Sequence, residues 1–231
     1  SDPLLSFLIK NNNSRLVYVQ HGGGYGLNKN HLGHQMEESG SDMMLYWGTG
    51  DNNVFPTRYR EKYFPQIKRT SMIVLSTLQD EKTIEPYIKL ANMVSRKWHS
   101  NCVVCVHPDS PISEVKNVRH GTSNISLEQA QLVIFDNMQH SLMYQRILAR
   151  RPFLVIDSDV NDLRVQNDNG SRLLLLMRNS ELLIPRNKLE SAVDDWMRFS
   201  PNEAQQEFIE RANLVLNHIL ERPKLDVLLE L

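Results

Sequence analysis

Four glycines in five positions follow a histidine in "VYVQHGGGYG", residues 17–26. Glycine permits φ > 0 and lets backbone approach a ligand closely. Several adjacent amides can form a nest that receives an oxyanion or phosphate. His21 at the mouth of the turn, with Gly22, Gly23 and Gly24 behind it, is therefore a candidate for meeting charge that develops on a leaving group. A tight turn with no ligand would use the same residues. The fingerprint G-x-G-x-x-G is not met, because Leu27 occupies the third slot after Gly22 and Gly24, and no Walker A pattern occurs.

Two further turns carry ligand-suited groups. "VHPD", residues 106–109, ends an expected parallel strand, and ligands of open α/β sheets collect at the carboxyl ends of strands. Pro108 stops the strand, and His107 can project a donor towards a phosphate or a base; a satisfied loop histidine is the alternative. In "FDNMQHSLMYQ", residues 135–145, Asp136 closes a strand and His140 or Ser141 begins a helix. The first turn of a helix offers free N–H groups and the positive end of its dipole to an anion. Plain capping by Asn137, His140 or Ser141 can occupy that turn as well. Together these turns predict a nucleotide held by helix N-termini and loop histidines, without a Walker lysine.

Other polar groups lead less far. His31, His34, Glu37 and Glu38 contain an H-x-x-H, but no settled helix aligns them, so no metal is expected. Asp42 and Asp51 are candidate acids or bases on loops, able to deprotonate a sugar hydroxyl if they face the site. Arg58, Arg60, Lys62, Lys68 and Arg69 read as a solvated linker, or as a guide for an anionic acceptor.

The elements that must position these groups can be read from periodicity. Leu16–Gln20 and Met43–Trp47 are short strands, with the rest of 27–69 an ordered loop region. From Ser71 onwards "SMIVLST", "CVVCV", "LVIFD" and "PFLVID" read as strands. A helix is predicted over 81–98 from the stripe Ile84, Tyr87, Ile88, Ala91 and Val94, with Pro86 in its first turn. Short helices are predicted from the Ser126 cap and over 140–151. Glu203–Leu220 is a final amphipathic helix, with Phe208, Ala212, Val215, Leu216 and Ile219 on one stripe. Alternating strands and helices at this spacing give a Rossmann-like parallel sheet with helices on both faces. The chain divides near residue 70, into 1–69 and 70–231.

Composition bounds the function. The 231 residues are 41% hydrophobic, and 26 Lys+Arg balance 27 Asp+Glu, so nothing argues electrostatically for nucleic acid. The longest clean apolar run, Leu173–Met177, is far too short for a bilayer span. Ser1-Asp2-Pro3 opens no signal peptide, and a start without Met leads us to expect a piece of a longer chain. Cys102 and Cys105 are three apart in a strand, so they point to opposite faces. With no second pair to complete a zinc site, they are expected to be core thiols in a reducing compartment.

The order "QHGGGYG", "SDMMLYWGTG", a strand, "VHP", then "HSLMYQRILARRPFLVID" resembles a family of bacterial surface-carbohydrate transferases with a GT-B fold. More distantly it is similar to capsule Kdo transferases, bacterial sialyltransferases and CDP-glycerol polymer transferases. The resemblance covers roughly residues 16–160. It implies that His107-Pro108 and His140-Ser141 bind the cytidine nucleotide of a donor. It also implies inverting transfer of an acidic sugar from a CMP-type donor to a surface glycan or glycolipid. A whole GT-B enzyme holds two Rossmann domains, and the related sialyltransferases carry a D/E-D/E-G acid motif that is absent here. Residues 70–231 are thus expected to be a GT-B C-terminal domain, preceded by the remnant of its partner domain. Such a chain is the donor-binding half of an enzyme, or an inactive relative. The site residues expected are His21, Asp42 and Asp51 for catalysis, with Gly22–Gly24, His107, Pro108, Asp136, His140 and Ser141 for the donor. No cofactor is expected. The location expected is cytoplasmic, with peripheral association at the inner membrane face, and a missing domain or partner chain completes the protein. A UDP-sugar 2-epimerase-like enzyme and a non-catalytic binding module are the alternatives.

Overall fold

The computed structural model describes residues 16–19, 32–45, 66–76, 79–112, 115–121, 124–158 and 168–220. A small parallel pair, β1 (Val17–Val19) and β2 (Met43–Leu45), is joined through α1 (Leu32–Gly40). Helix α1 falls within the stretch that periodicity assigned to loop. Its nine residues are too few, and too polar, for a stripe to stand out.

The main sheet has six parallel strands: β3 (Lys68–Val74), β4 (Asn101–Val106), β5 (Val118–His120), β6 (Ala130–Phe135), β7 (Phe153–Asp157) and β8 (Leu183–Pro185). Their spatial order is β5-β4-β3-β6-β7-β8. Counted from β3, that is 3-2-1-4-5-6, the doubly wound dinucleotide-fold order. Helices cover both faces, which explains the sequence texture. All six residues of β6 are buried, as are the last four of β3 and the last five of β4. A strand covered on both sides is a continuous apolar run rather than an alternating one. Cys102 and Cys105 both lie in that core, and burial pushes their thiols up to about 11 and about 12.

Helix α2 (Glu81–Trp98) links β3 to β4. Asp80 caps it, accepting from the backbone N–H groups of Lys82 (3.0 Å) and Thr83 (2.8 Å), while Thr83 Oγ1 accepts from the Asp80 N–H (2.9 Å). This reciprocal box starts the helix at Glu81, so Pro86 is in the interior rather than the first turn. Helix α3 (Asn124–Gln129) starts two residues before Ser126, which is therefore not its cap. Helix α4 (Ser141–Leu148) joins β6 to β7, and α5 (Asp168–Asn179) leads to β8. After β8 a 3₁₀ turn (Arg186–Lys188) enters α6 (Leu189–Arg198), followed by α7 (Pro201–Arg211) and α8 (Asn213–Leu220). The single helix expected over 203–220 is two, parted at Ala212. The break keeps the stripe, since Phe208, Ala212, Val215, Leu216 and Ile219 are all buried.

Arg146 of α4 is 1% exposed, yet it has no carboxylate partner. Its guanidinium donates to the carbonyl oxygens of Leu127 (3.0 Å), Gln131 (3.4 Å) and Pro152 (2.5 Å). It thus fastens α4 to the end of α3, the start of β6 and the start of β7. Burial drives its pKa well below the ordinary arginine range. The edge strands β5 and β8 are three residues each, and β8 ends in Pro185.

Candidate functional site

The strand order reverses between β3 and β6, and their carboxyl ends are where a doubly wound sheet opens a crevice. Just past β3, the Leu75 N–H donates to the Cys105 carbonyl (2.9 Å) on one side. The Asp136 N–H donates to the Val74 carbonyl (3.2 Å) on the other. The next residue, Ser76, stands at the fork. Its N–H and hydroxyl lie 2.9 and 3.0 Å from Asp136 Oδ2. Asn137 Nδ2 donates to Ser76 Oγ (2.6 Å) and to Asp136 Oδ1 (3.1 Å), and Asn137 Oδ1 accepts from the Gln139 N–H (2.9 Å). Asp136 therefore ties the two halves of the sheet together at the switch point.

His140 caps α4 through Nδ1, 3.4 Å from the Leu142 N–H, with its ring 5.0 Å from that of Phe135. Burial depresses its pKa to about 4. The imidazole is thus neutral near pH 7, accepting at Nδ1 and leaving its proton on Nε2. It can donate a hydrogen bond but brings no charge. Ser141 begins the helix, as expected.

His107 leaves β4 into a fastened loop. Its Nδ1 accepts from the Asp109 N–H (3.2 Å), which leaves Nε2–H as a free-facing donor on a partly exposed ring. The Ser110 N–H donates to the His107 carbonyl (3.0 Å), and Ser110 Oγ accepts from the Gln79 N–H (3.1 Å), joining the loops after β3 and β4. From the far side, the two His120 ring nitrogens lie 3.3 Å from the Pro108 carbonyl and 3.2 Å from that of Ile112. Gly121, at φ +73°, lets the chain turn beside Pro108, whose Cγ would lie 3.7 Å from a Cβ there.

His107 and His140 follow strands that both flank β3, so their strand ends are ~10 Å apart, at two inter-strand spacings. The structure thus brings His107, Pro108, Asp136, His140 and Ser141 to one edge of one sheet. Asp42 is elsewhere, in the small β1–β2 unit, where its carboxylate accepts from the Leu16 N–H (2.7 Å). His21, Gly22–Gly24, Asp51 and the basic run Arg58–Lys62 lie outside the described residues, as does His31. Glu37 is buried and Glu38 exposed on α1, and among the described residues no group of three His, Cys, Asp or Glu is placed to hold a metal ion. Among the described residues no helix is long and apolar enough to cross a membrane.

Sequence reasoning passed over Ser76, Ser110 and His120. Only the "ST" that ends "SMIVLST" marked the first of these.

No protein-family model matches the chain, and no curated protein matches it. Among solved structures it is similar to the spinosyn forosaminyltransferase SpnP at 15% identity, with 79% of this chain, 47% of that one and a TM-score of 0.39. It is also similar to the glycotransferase of kitacinnamycin at 9% identity, with 77% and 51% covered and a TM-score of 0.43. A third is the spinosyn rhamnosyltransferase SpnG complexed with thymidine diphosphate, at 11% identity, 96% and 68% covered, and a TM-score of 0.48. The chain spans about half the length of the first two.

Proposed function

We propose that this chain is the donor-binding half of a GT-B-type glycosyltransferase. In this reading it moves an acidic sugar from a cytidine nucleotide to a surface glycan or glycolipid. One observation carries the reading: two donors suited to phosphate or base, the His107-Pro108 loop and the amino end of α4, stand on either side of the switch point. A nucleotide laid along this edge receives hydrogen bonds from His107 Nε2–H and from the first N–H groups of α4, whose dipole favours negative charge.

In the transfer itself an acceptor hydroxyl oxygen attacks the anomeric carbon. The bond from that carbon to the phosphate oxygen breaks, and the nucleotide departs with the electron pair. The hydroxyl proton passes to a base, for which His21 and Asp51 are the proposed residues. Asp42 is the weaker choice, because its carboxylate is already engaged by the Leu16 backbone. Residues 1–69 belong to the remnant of the acceptor domain and 70–231 to the donor domain. The reaction is placed on the cytoplasmic side, at the inner membrane face when the acceptor is a glycolipid.

Calorimetry against CMP, CDP, UDP and TDP, with His107→Ala as control, tests this. Cytidine nucleotides should saturate the wild type, and the variant should bind them at least about tenfold more weakly. Preference for a UDP-sugar points to the epimerase-like alternative. Absence of heat with every nucleotide refutes the reading and leaves a non-catalytic module.

A further inference from the structure

The carboxyl edge is rich in acid. Asp80, Asp109, Asp136 and Asp157 follow or end β3, β4, β6 and β7 respectively. Arg178 neutralises only Asp157, at 3.2 Å. Asp80 and Asp136 are satisfied by N–H and O–H groups that carry no net charge. His140 is neutral, and His107 spends Nδ1 on a backbone N–H. A nucleoside diphosphate brings at least two further negative charges to this edge. Hydrogen bonds from neutral groups do not offset the repulsion among like charges at such range. The site needs a cation.

Most nearby basic side chains are committed or remote. Lys89 pairs with Glu85 (2.7 Å), Arg178 with Asp157, and Arg119 sits on the outer strand β5. Arg186 differs. It is the first residue past β8, so it starts at the carboxyl edge, and it is exposed. Its guanidinium carbon lies 5.2 Å from the centre of the Tyr87 ring on α2, the helix that follows β3. The side chain is thereby carried from the outer strand back towards the centre of the sheet. Among the described residues it has no carboxylate partner. Tyr87 reports how near this is to the crevice. Burial raises its phenol pKa, the Arg186 charge and hydrogen bond oppose that rise, and the Asp136 carboxylate adds to it. The groove of about 340 Å³ lined by Pro86, Tyr87, Leu90, Met93, Leu189 and Arg186 leaves room beside the guanidinium.

We propose that Arg186, held over the Tyr87 ring, meets the phosphate of the nucleotide donor and supplies the positive charge that this edge otherwise lacks. The inference rests on the nucleotide reading above and adds to it a binding residue from β8. Stacking on an aromatic face orients a guanidinium and removes part of its freedom, so less is lost when it grips an oxyanion.

CDP, UDP and TDP are each titrated beside their nucleosides, using the full chain, its Arg186→Gln and Arg186→Lys variants, and Tyr87→Leu. Arg186→Gln should weaken the bound diphosphate about 10- to 100-fold, the loss of one charge-assisted hydrogen bond. It should leave nucleoside affinity unchanged and flatten the salt dependence. Arg186→Lys keeps the charge and should recover most of the affinity, while Tyr87→Leu, which frees the guanidinium, should cost about threefold or more. All variants should melt with the wild type, since both positions touch the groove rather than the core. Wild-type binding that Arg186→Gln does not change overturns this inference alone. Equal losses for nucleoside and diphosphate also overturn it, because the residue would then serve shape and not charge. A wild type that binds no nucleotide overturns both this inference and the reading beneath it.

Discussion

His140 makes a pH experiment with a calculable answer. Its imidazole is held neutral by burial, with a pKa of about 4 in the folded chain, against about 6.5 for an ordinary histidine. Between those values the unfolded chain holds a proton that the native one does not. Stability is therefore complete above about pH 6.5, falls as the pH drops through the window, and stops falling below about 4. Each unit of difference is worth about 1.4 kcal/mol, so moving from about pH 7.5 to about 4.5 should remove about 2.5 kcal/mol through this one ring. Carboxylates titrate in the same interval, so the measurement is a difference. Urea unfolding is followed at both pH values for the wild type and for His140→Asn. Asparagine keeps a capping acceptor for the Leu142 N–H but binds no proton. The wild type should lose about 2.5 kcal/mol more than the variant. Equal losses would refute the argument, and they would also return to His140 the charge denied to it in the site.

Arg146→Met should cost about 3–5 kcal/mol in urea unfolding. It strips donors from three buried carbonyls, of Leu127, Gln131 and Pro152, while Arg146→Lys should fall between the two. Asp136→Asn weakens the acceptor of the Ser76 N–H and hydroxyl; a loss of about 1–3 kcal/mol is expected, with nucleotide affinity falling as the fork loosens, both read on the same protein. Cys102 and Cys105, with thiols raised to about 11 and about 12, should resist a disulfide reagent at about pH 8 in the native chain and react in urea, as counted by released thiolate.

The parts of this molecule that sequence made legible are those governed by local rules. β3, β4, β6 and β7 are apolar runs because both faces are covered, and the His-Pro pair marks where β4 must end. The aspartate after "LVIF" marks the end of β6 in the same way. What escaped depends on distance. Strand β8 is only "LIP", too short for a pattern, so Arg186 carried no mark as an edge residue and Tyr87 read as one more member of a helical stripe. Arg146 lies in a helix that looks ordinarily amphipathic; only the junction of α3, β6 and β7 shows what its charge is for. Ser76 acquires meaning from Asp136, sixty residues on. The helix break at Ala212 was invisible because the buried stripe continues through it.

The tapering of the sheet limits what the chain can be joined to. β5 and β8 offer outward ladders of three residues each, and Pro185 has no N–H to give to a newcomer. Too few backbone groups are free for another chain to extend the sheet sideways, the usual route to fibrils and strand-exchanged pairs. Any neighbour must instead approach across helices or over the loops at the strand tips. A partner that closes over those tips would cover His107 and His140 together.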